Sequence, residues 1–346
     1  MLFMVKINYF GLLNTIRKGR TKAVMDLHDD VIQWLLQDNQ PSLKWRTLTE
    51  LLELDADEPE VARVKSAILQ STPVRDLLDK MHPDGYWLQK NPRTKVNVGD
   101  GVLYGSFGST HFCLAYLAEL GMDRTQPEVK KAIERYLNLQ NPDGDWLNHY
   151  SCLLGYNIRT FVLLGYRDDV RLKRSIELML QTVREDGGYL CDWHEGKYKT
   201  KQVKSCIRGS VKCLLAFAEL PEYWDHPRCR QLVDYFLRRG GVYKSKQPGI
   251  FVNQDMQRLS FPIIWRANLW EVLYALSKMG YGNDERLQPA WNALKSRADK
   301  VGRYQLDWTP TECPWKVGQR GENNKWITFY VLLAEKYKYI SIGYVD

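Results

Sequence analysis

Lys130-Lys131-Ala132-Ile133-Glu134-Arg135-Tyr136-Leu137-Asn138-Leu139-Gln140, followed closely by Asp143-Gly144-Asp145-Trp146, joins an amphipathic run to a glycine-aromatic stop. Ala132, Ile133, Tyr136 and Leu137 recur at helical spacing, and charged residues fill the opposite face. Glycine after such a run ends the helix, because it takes the left-handed conformation without a side-chain clash. The same ending returns at Asp84-Gly85-Tyr86-Trp87, Asp186-Gly187-Gly188-Tyr189, Gly240-Gly241-Val242-Tyr243 and Gly302-Arg303-Tyr304. A pattern that recurs along a chain in this way marks repeated supersecondary units.

Beyond the turns lies a second series of segments, richer in Leu, Ala and aromatic residues: 45–54, 110–120, 153–164, 207–220, 264–279 and 325–337. A charged amphipathic stretch precedes each, at 30–38, 58–81, 126–140, 168–183, 226–239 and 284–300. A helix that is apolar nearly all round must be buried, and one with a charged face lies at the surface. Six inner–outer pairs therefore predict an all-α fold, an (α/α)6 toroid of two concentric helical barrels. A straight stack of the same hairpins is the alternative, and it requires polar terminal caps. The pattern predicts one domain over residues 25–346 and an N-terminal extension over 1–24.

Composition agrees with a folded globular chain, with 44% hydrophobic and 26% charged among 346 residues. No apolar run approaches the roughly 20 residues of a spanning helix, and residues 1–20 lack the apolar centre of a secretory signal. Seven cysteines, an odd and scattered set, fit a reducing compartment, so the expected location is the cytoplasm. A net charge of +8 favours an anionic partner.

The 130–146 stretch resembles the QW motif of squalene cyclases and their relatives, in which Gln140 would bond the start of a neighbouring outer helix while Trp146 packs over it. Residues 174–189, with Gln181, Gly187 and Gly188, resemble a second copy. The resemblance implies an inner barrel enclosing an aromatic-lined cavity, with reactive groups near the starts of inner helices. Class II cyclases place an Asp-rich acid motif there. Asp26, Asp29 and Asp30 precede the first helix at a different spacing, which disfavours proton-initiated cyclisation. The segment from Gly187-Gly188-Tyr189 through Lys201 to Cys206 resembles protein prenyltransferase β subunits. That likeness implies a diphosphate-binding Lys201 and a zinc-binding Cys206. Lys204 stands where that family has its zinc Asp, and Asn268 falls near its zinc His.

Read from the residues themselves, Cys152, Cys191, Cys206 and Cys313 lie in or just after loops entering inner helices, which a toroid opens on one face. Four thiolates suit tetrahedral zinc, and His149 or His194 could replace one; the alternative is four small, buried packing residues. Cys206 is also a nucleophile candidate, since a helix start with Lys204 and Arg208 nearby favours a thiolate. His111, at the start of the second inner helix, is a candidate base or ligand if it faces the cavity, the alternative being a hydrogen-bonded structural residue. Arg159, Arg208 and Arg266 lie on apolar segments and must find carboxylates or an anionic ligand. Trp265 joins them as a ligand-facing ring, one of several aromatic residues that would suit an isoprenoid chain.

Together these residues predict a prenyltransferase-like or terpenoid-cyclase-like protein. Its small-molecule ligand would be elongated and apolar, isoprenoid in type, with an anionic head held by Lys201 and Arg208, and zinc as cofactor. A non-catalytic module that recruits a protein, lipid or nucleic acid through the basic rim is the alternative, with nucleic acid the least favoured partner. The loop acids Asp192, Glu195, Asp255 and Glu312 keep a carbohydrate-active barrel in view.

Overall fold

The computed structural model describes residues 29–90, 97–98, 106–146, 151–191 and 204–339, with the backbone alone at 89–90 and 97–98. The 1–24 extension lies outside them. Inner helices are α2 (Pro41–Arg46), α5 (Thr110–Glu119), α7 (Ser151–Leu163), α9 (Ile207–Ala218), α11 (Leu269–Lys278) and α13 (Lys325–Tyr339). Outer helices are α1 (Asp29–Leu35), α3 (Pro59–Ile68), α4 (Thr72–Leu78), α6 (Pro127–Leu137), α8 (Val170–Gln181), α10 (Pro227–Leu237) and α12 (Gln288–Lys295). The second outer stretch, read as one piece over 58–81, divides because Pro73 cannot donate to a continuing helix and instead starts α4.

Inner and outer character follows the sequence pattern. All ten residues of α5 are buried, whereas α6 buries only Val129, Ala132, Ile133, Tyr136 and Leu137 along one stripe. Around the ring α5 packs on α7, α7 on α9, α9 on α11 and α11 on α13, and α13 returns to α2 and the π-helical turn Thr47–Leu51 that extends it. Arg46 of α2 reaches Glu119 of α5 at 2.7 Å, completing the circle. The fold is thus an α/α toroid. Its described residues also contain three two-stranded antiparallel ribbons, Met81–His82 with Tyr86–Trp87, Gln89–Lys90 with Asn97–Val98, and Tyr243–Lys244 with Gln247–Phe251. All three occupy connections from outer to inner helices.

Two glycines show why the repeat needs them. Gly144 has φ +99, and a β-carbon there would lie 2.7 Å from the Arg174 carbonyl oxygen, so its turn rests directly on the next outer helix. Gln140 fastens the same junction, donating to the Arg171 carbonyl at 2.7 Å and the Ser175 hydroxyl at 2.8 Å. Trp146 packs on Tyr136 and Phe161. Gly155 lets α7 approach α9 so closely that a β-carbon would come within 2.5 Å of the Lys212–Cys213 peptide. Gly144→Ala is expected to cost about 1–3 kcal/mol through left-handed strain alone, before any contact with Arg174. Gly108→Ala, with open space around it, should be nearly neutral in the same urea titration.

At the next junction the tie runs in the opposite direction. Among the described residues the Gln181 side chain bonds its own helix, at Glu177, while Arg228 of α10 donates to the carbonyls of Thr182, Gly187 and Gly188 at 2.7, 3.0 and 2.8 Å. Its guanidinium also lies 3.9 Å from the Tyr189 ring centroid. Sequence alone offered Gln181 as the linking residue, but its amide is exposed.

Candidate functional site: the mouth and axis of the inner barrel

The inner helices run in the same sense around the ring, so their starts share one mouth. Cys206 caps α9 and Arg208 follows in its first turn, while Trp265 and Arg266 fall in the approach to α11, which begins at Leu269. Asp255 comes from the short turn Gln254–Gln257. It accepts from Arg266 at 2.8 Å and also from Arg208. The Arg208 guanidinium lies 4.9 Å from the Trp265 ring centroid, and that of Arg266 lies 4.2 Å from Trp308 and 5.3 Å from Trp265. Two cations thus share one carboxylate between two indoles, which leaves a net positive charge at the mouth. Arg208 remains 39% exposed and is reachable from solvent. Lys201, nominated beside it, lies outside the described residues, as do His149, Asp192, His194 and Glu195.

The thiols separate into two groups. Cys152 and Cys191 have sulfurs 3.9 Å apart. Cys206 is near enough to Cys191 to feel its charge, although burial is the main reason its thiol is pushed up. A proton-retaining thiol is a poor nucleophile. Cys313 sits elsewhere, beside Tyr116 and Cys113, with its pKa likewise raised by burial. The structure therefore does not bring the four together. A tetrahedral zinc with sulfur ligands at about 2.3 Å sets neighbouring sulfurs about 3.8 Å apart, which the Cys152–Cys191 pair matches. Among the described residues no three His, Cys, Asp or Glu side chains form a metal-binding group.

His111 is buried against Phe112, Tyr136 and Tyr156, with Nδ1 2.9 Å from the Ser109 hydroxyl. Burial lowers its pKa to about 3, so the ring is neutral across the physiological range. Other buried rings of the inner barrel pack against one another. Phe261 stacks on Trp326 at 5.3 Å, Trp270 on Tyr330 at 4.8 Å, and Trp315 meets Tyr116 at 5.9 Å.

Deeper in the barrel lies a charge network that sequence reasoning largely missed. Glu50, Arg46, Glu119, Arg159, Glu219 and Lys278 alternate in sign from one side of the barrel to the other. Tyr330 of α13 donates to Glu119 and accepts from Arg46 at 2.8 Å and Arg159 at 3.1 Å. Burial alone would raise the Glu119 pKa, but Arg159, Arg46 and the Tyr330 hydroxyl overcome it and hold the carboxyl below its usual range. Arg159, nominated for an external anion, is thus matched by carboxylates inside the protein. A second fully buried pair, Lys212 with Glu271, continues through Asn268 at 2.6 Å to the Ser260 hydroxyl at 2.8 Å. Its signal was available in the sequence as charges within Ile207–Ala218 and Leu269–Lys278, the feature that singled out Arg159.

No protein-family model and no curated protein matches the sequence. Among solved structures, a glycosyl hydrolase family 88 protein from Bacteroides vulgatus is 13% identical over 92% of this chain and 99% of that one, with a TM-score of 0.52. A polysaccharide lyase is 16% identical over 95% of this chain and 94% of that one, at 0.47. The type II terpene cyclase MstE from Scytonema is 12% identical over 78% of this chain and 97% of that one, at 0.33. No helix among the described residues is long and apolar enough to cross a membrane. At such identity the likeness is one of architecture, and what this chain shares with the Bacteroides protein is the helical toroid.

Proposed function

We propose that the protein binds an anion-headed small molecule at the barrel mouth, with Arg208 and Arg266 holding the head and Trp265 and Trp308 flanking it. The observation that carries this reading is the sharing of Asp255 by two guanidiniums, which leaves one positive charge beside solvent. Guanidinium groups pair with phosphate oxygens in a bidentate manner. Lys201 would extend the same grip, and the resemblance to prenyltransferases makes an isoprenoid diphosphate the first ligand to try. A second reading, in which the head alone is bound and any tail lies across the rim, is favoured by the ring packing of Phe261, Trp270, Trp326 and Tyr330 in the inner barrel. In neither reading does a cysteine or His111 move a proton.

Titration calorimetry with farnesyl diphosphate, inorganic pyrophosphate and farnesol separates these readings. Farnesyl diphosphate binding much more tightly than pyrophosphate supports the isoprenoid reading, and equal affinity supports the rim. Arg208→Ala is expected to weaken either ligand by roughly 10- to 100-fold. An unchanged affinity in that variant, or no binding by any of the three, removes the proposal. Zinc would enter through the Cys152–Cys191 pair, whose sulfurs lie 3.9 Å apart. One equivalent of zinc in the purified protein, lost in Cys191→Ala, would support it, and folded metal-free protein that rejects added zinc would remove it.

A further inference from the structure

On the other side of the turn that carries Asp255, a concavity of about 470 Å3 is lined by Gln254, Gln257, Arg258, Arg297, Asp307 and Arg320. The three cations do different things. Arg297 is fully engaged, donating to both Asp307 oxygens at 2.9 and 2.8 Å and to the Gln257 carbonyl at 2.9 Å. Asp307 also accepts the Leu259 N–H at 2.8 Å, so this pair is a fixed wall. Arg258 and Arg320 are exposed, and among the described residues neither guanidinium has a hydrogen bond or ion pair. They come from different loops, one approaching α11 and one approaching α13.

Those loops are stitched together. The Asp307 N–H donates to the Leu259 carbonyl at 2.8 Å, Gly321 N–H to Leu306 at 2.8 Å, and Leu306 N–H to Glu322 at 2.9 Å. The backbone bearing the two unpaired arginines is therefore held in place before any ligand arrives. Three guanidiniums against one carboxylate leave an excess of two positive charges around a single cavity, with two side-chain amides as further donors.

We propose that this concavity is a second anion site, for the tetrahedral anionic head of a phosphate monoester (a dianion) or a sulfate monoester (a monoanion) borne on a small polar molecule. Arg258 and Arg320 grip the head, Gln254 and Gln257 meet hydroxyl groups of the remainder, and the cavity is larger than a bare oxyanion needs. It goes beyond the mouth site, where Asp255 already neutralises one of the two arginines, and it fails or survives independently of that site.

The test is titration calorimetry on the full chain with glucose 6-phosphate, glucose 6-sulfate, glucuronate and glucose, repeated on Arg258→Gln, Arg320→Gln, the double variant and Arg208→Ala. Binding of either ester, weakened roughly 10- to 100-fold by each single change, abolished in the double variant and kept in Arg208→Ala, supports the proposal. Which ester binds better distinguishes phosphate from sulfate. Unchanged thermal midpoints would show that the exposed substitutions leave the fold intact. Preference for glucuronate, equal binding of glucose, retained affinity in the double variant, loss in Arg208→Ala, or no binding by any of the four would overturn it.

Discussion

Glu119→Gln is expected to cost about 3–5 kcal/mol of folding stability, because it leaves Arg46 and Arg159 buried without the carboxylate they share. That is a large fraction of the roughly 5–15 kcal/mol that holds a typical domain together, so the variant should be recovered poorly or unfold at far lower urea. Tyr330→Phe removes one hydroxyl from the same cluster and should cost about 1–3 kcal/mol. A Glu119→Gln protein with a wild-type urea midpoint would show that the guanidiniums find other partners. The acid limb of stability follows from the same groups. Burial would raise the Glu219 pKa, but Lys278 and Arg159 bring it down to about 2 from the ordinary 4.5. A carboxyl depressed on folding contributes fully above its unfolded pKa, and the contribution is lost as pH falls through the folded value. Thermal midpoints should therefore decline between about pH 4.5 and pH 2. A midpoint that stays level across that window would contradict an ionised Glu219.

Lys212→Met is the second large effect. Lys212 and Glu271 are both fully enclosed, and loss of the ammonium leaves a carboxyl whose remaining hydrogen bond among the described residues comes from Asn268, at a cost of about 3–5 kcal/mol. Burial lowers the Lys212 pKa and raises that of Glu271, and each partner pulls the other back toward its charged form. Combining Lys212→Met with Glu271→Gln keeps an amide oxygen for Asn268 while removing both charges. The double variant should recover most of the loss, because a neutral buried pair carries no desolvation penalty of that size. If the double variant is as unstable as the single, packing of the lysine stem against α7 outweighs its charge. Gly155 brings that helix close to Lys212, so the urea curves of both variants are informative.

Much of the architecture could be read from the chain, because it depends on spacing. Glycine-aromatic turns and the contrast between charged and apolar helices placed each inner helix within a few residues, and the clearest discrepancy was α11. There the apolar residues Ile264 and Trp265 extend a helical pattern into what is a loop, since Asn268 is the residue that caps the helix. The site was less legible. Arg208 and Arg266 were singled out because a charge on an apolar segment demands a partner, yet which carboxylate answers is a question of three dimensions. Asp255 stood out in the sequence as one of four loop acids, but it is remote from Arg208 and nothing local paired the two. The thiols shared a feature in sequence, placement near helix starts, but a toroid spreads those starts around a circumference, and Cys313 falls on a different part of it from Cys191. Glu119, Glu219, Lys212 and Glu271 could have been found by extending to every ionisable residue the criterion applied to arginine.

Return of α13 onto α2 has a consequence for how the molecule comes apart. An open stack can fray from either end, one unit at a time, and tolerates losing a terminal unit. A closed circle offers no such end, since Lys336 bonds the Glu50 carbonyl at 2.6 Å and Lys325 bonds Gln37 and Asn39 at 3.0 and 2.9 Å. Deleting any one hairpin would leave two unsealed flanks, so protection from hydrogen exchange should collapse together around the whole circumference.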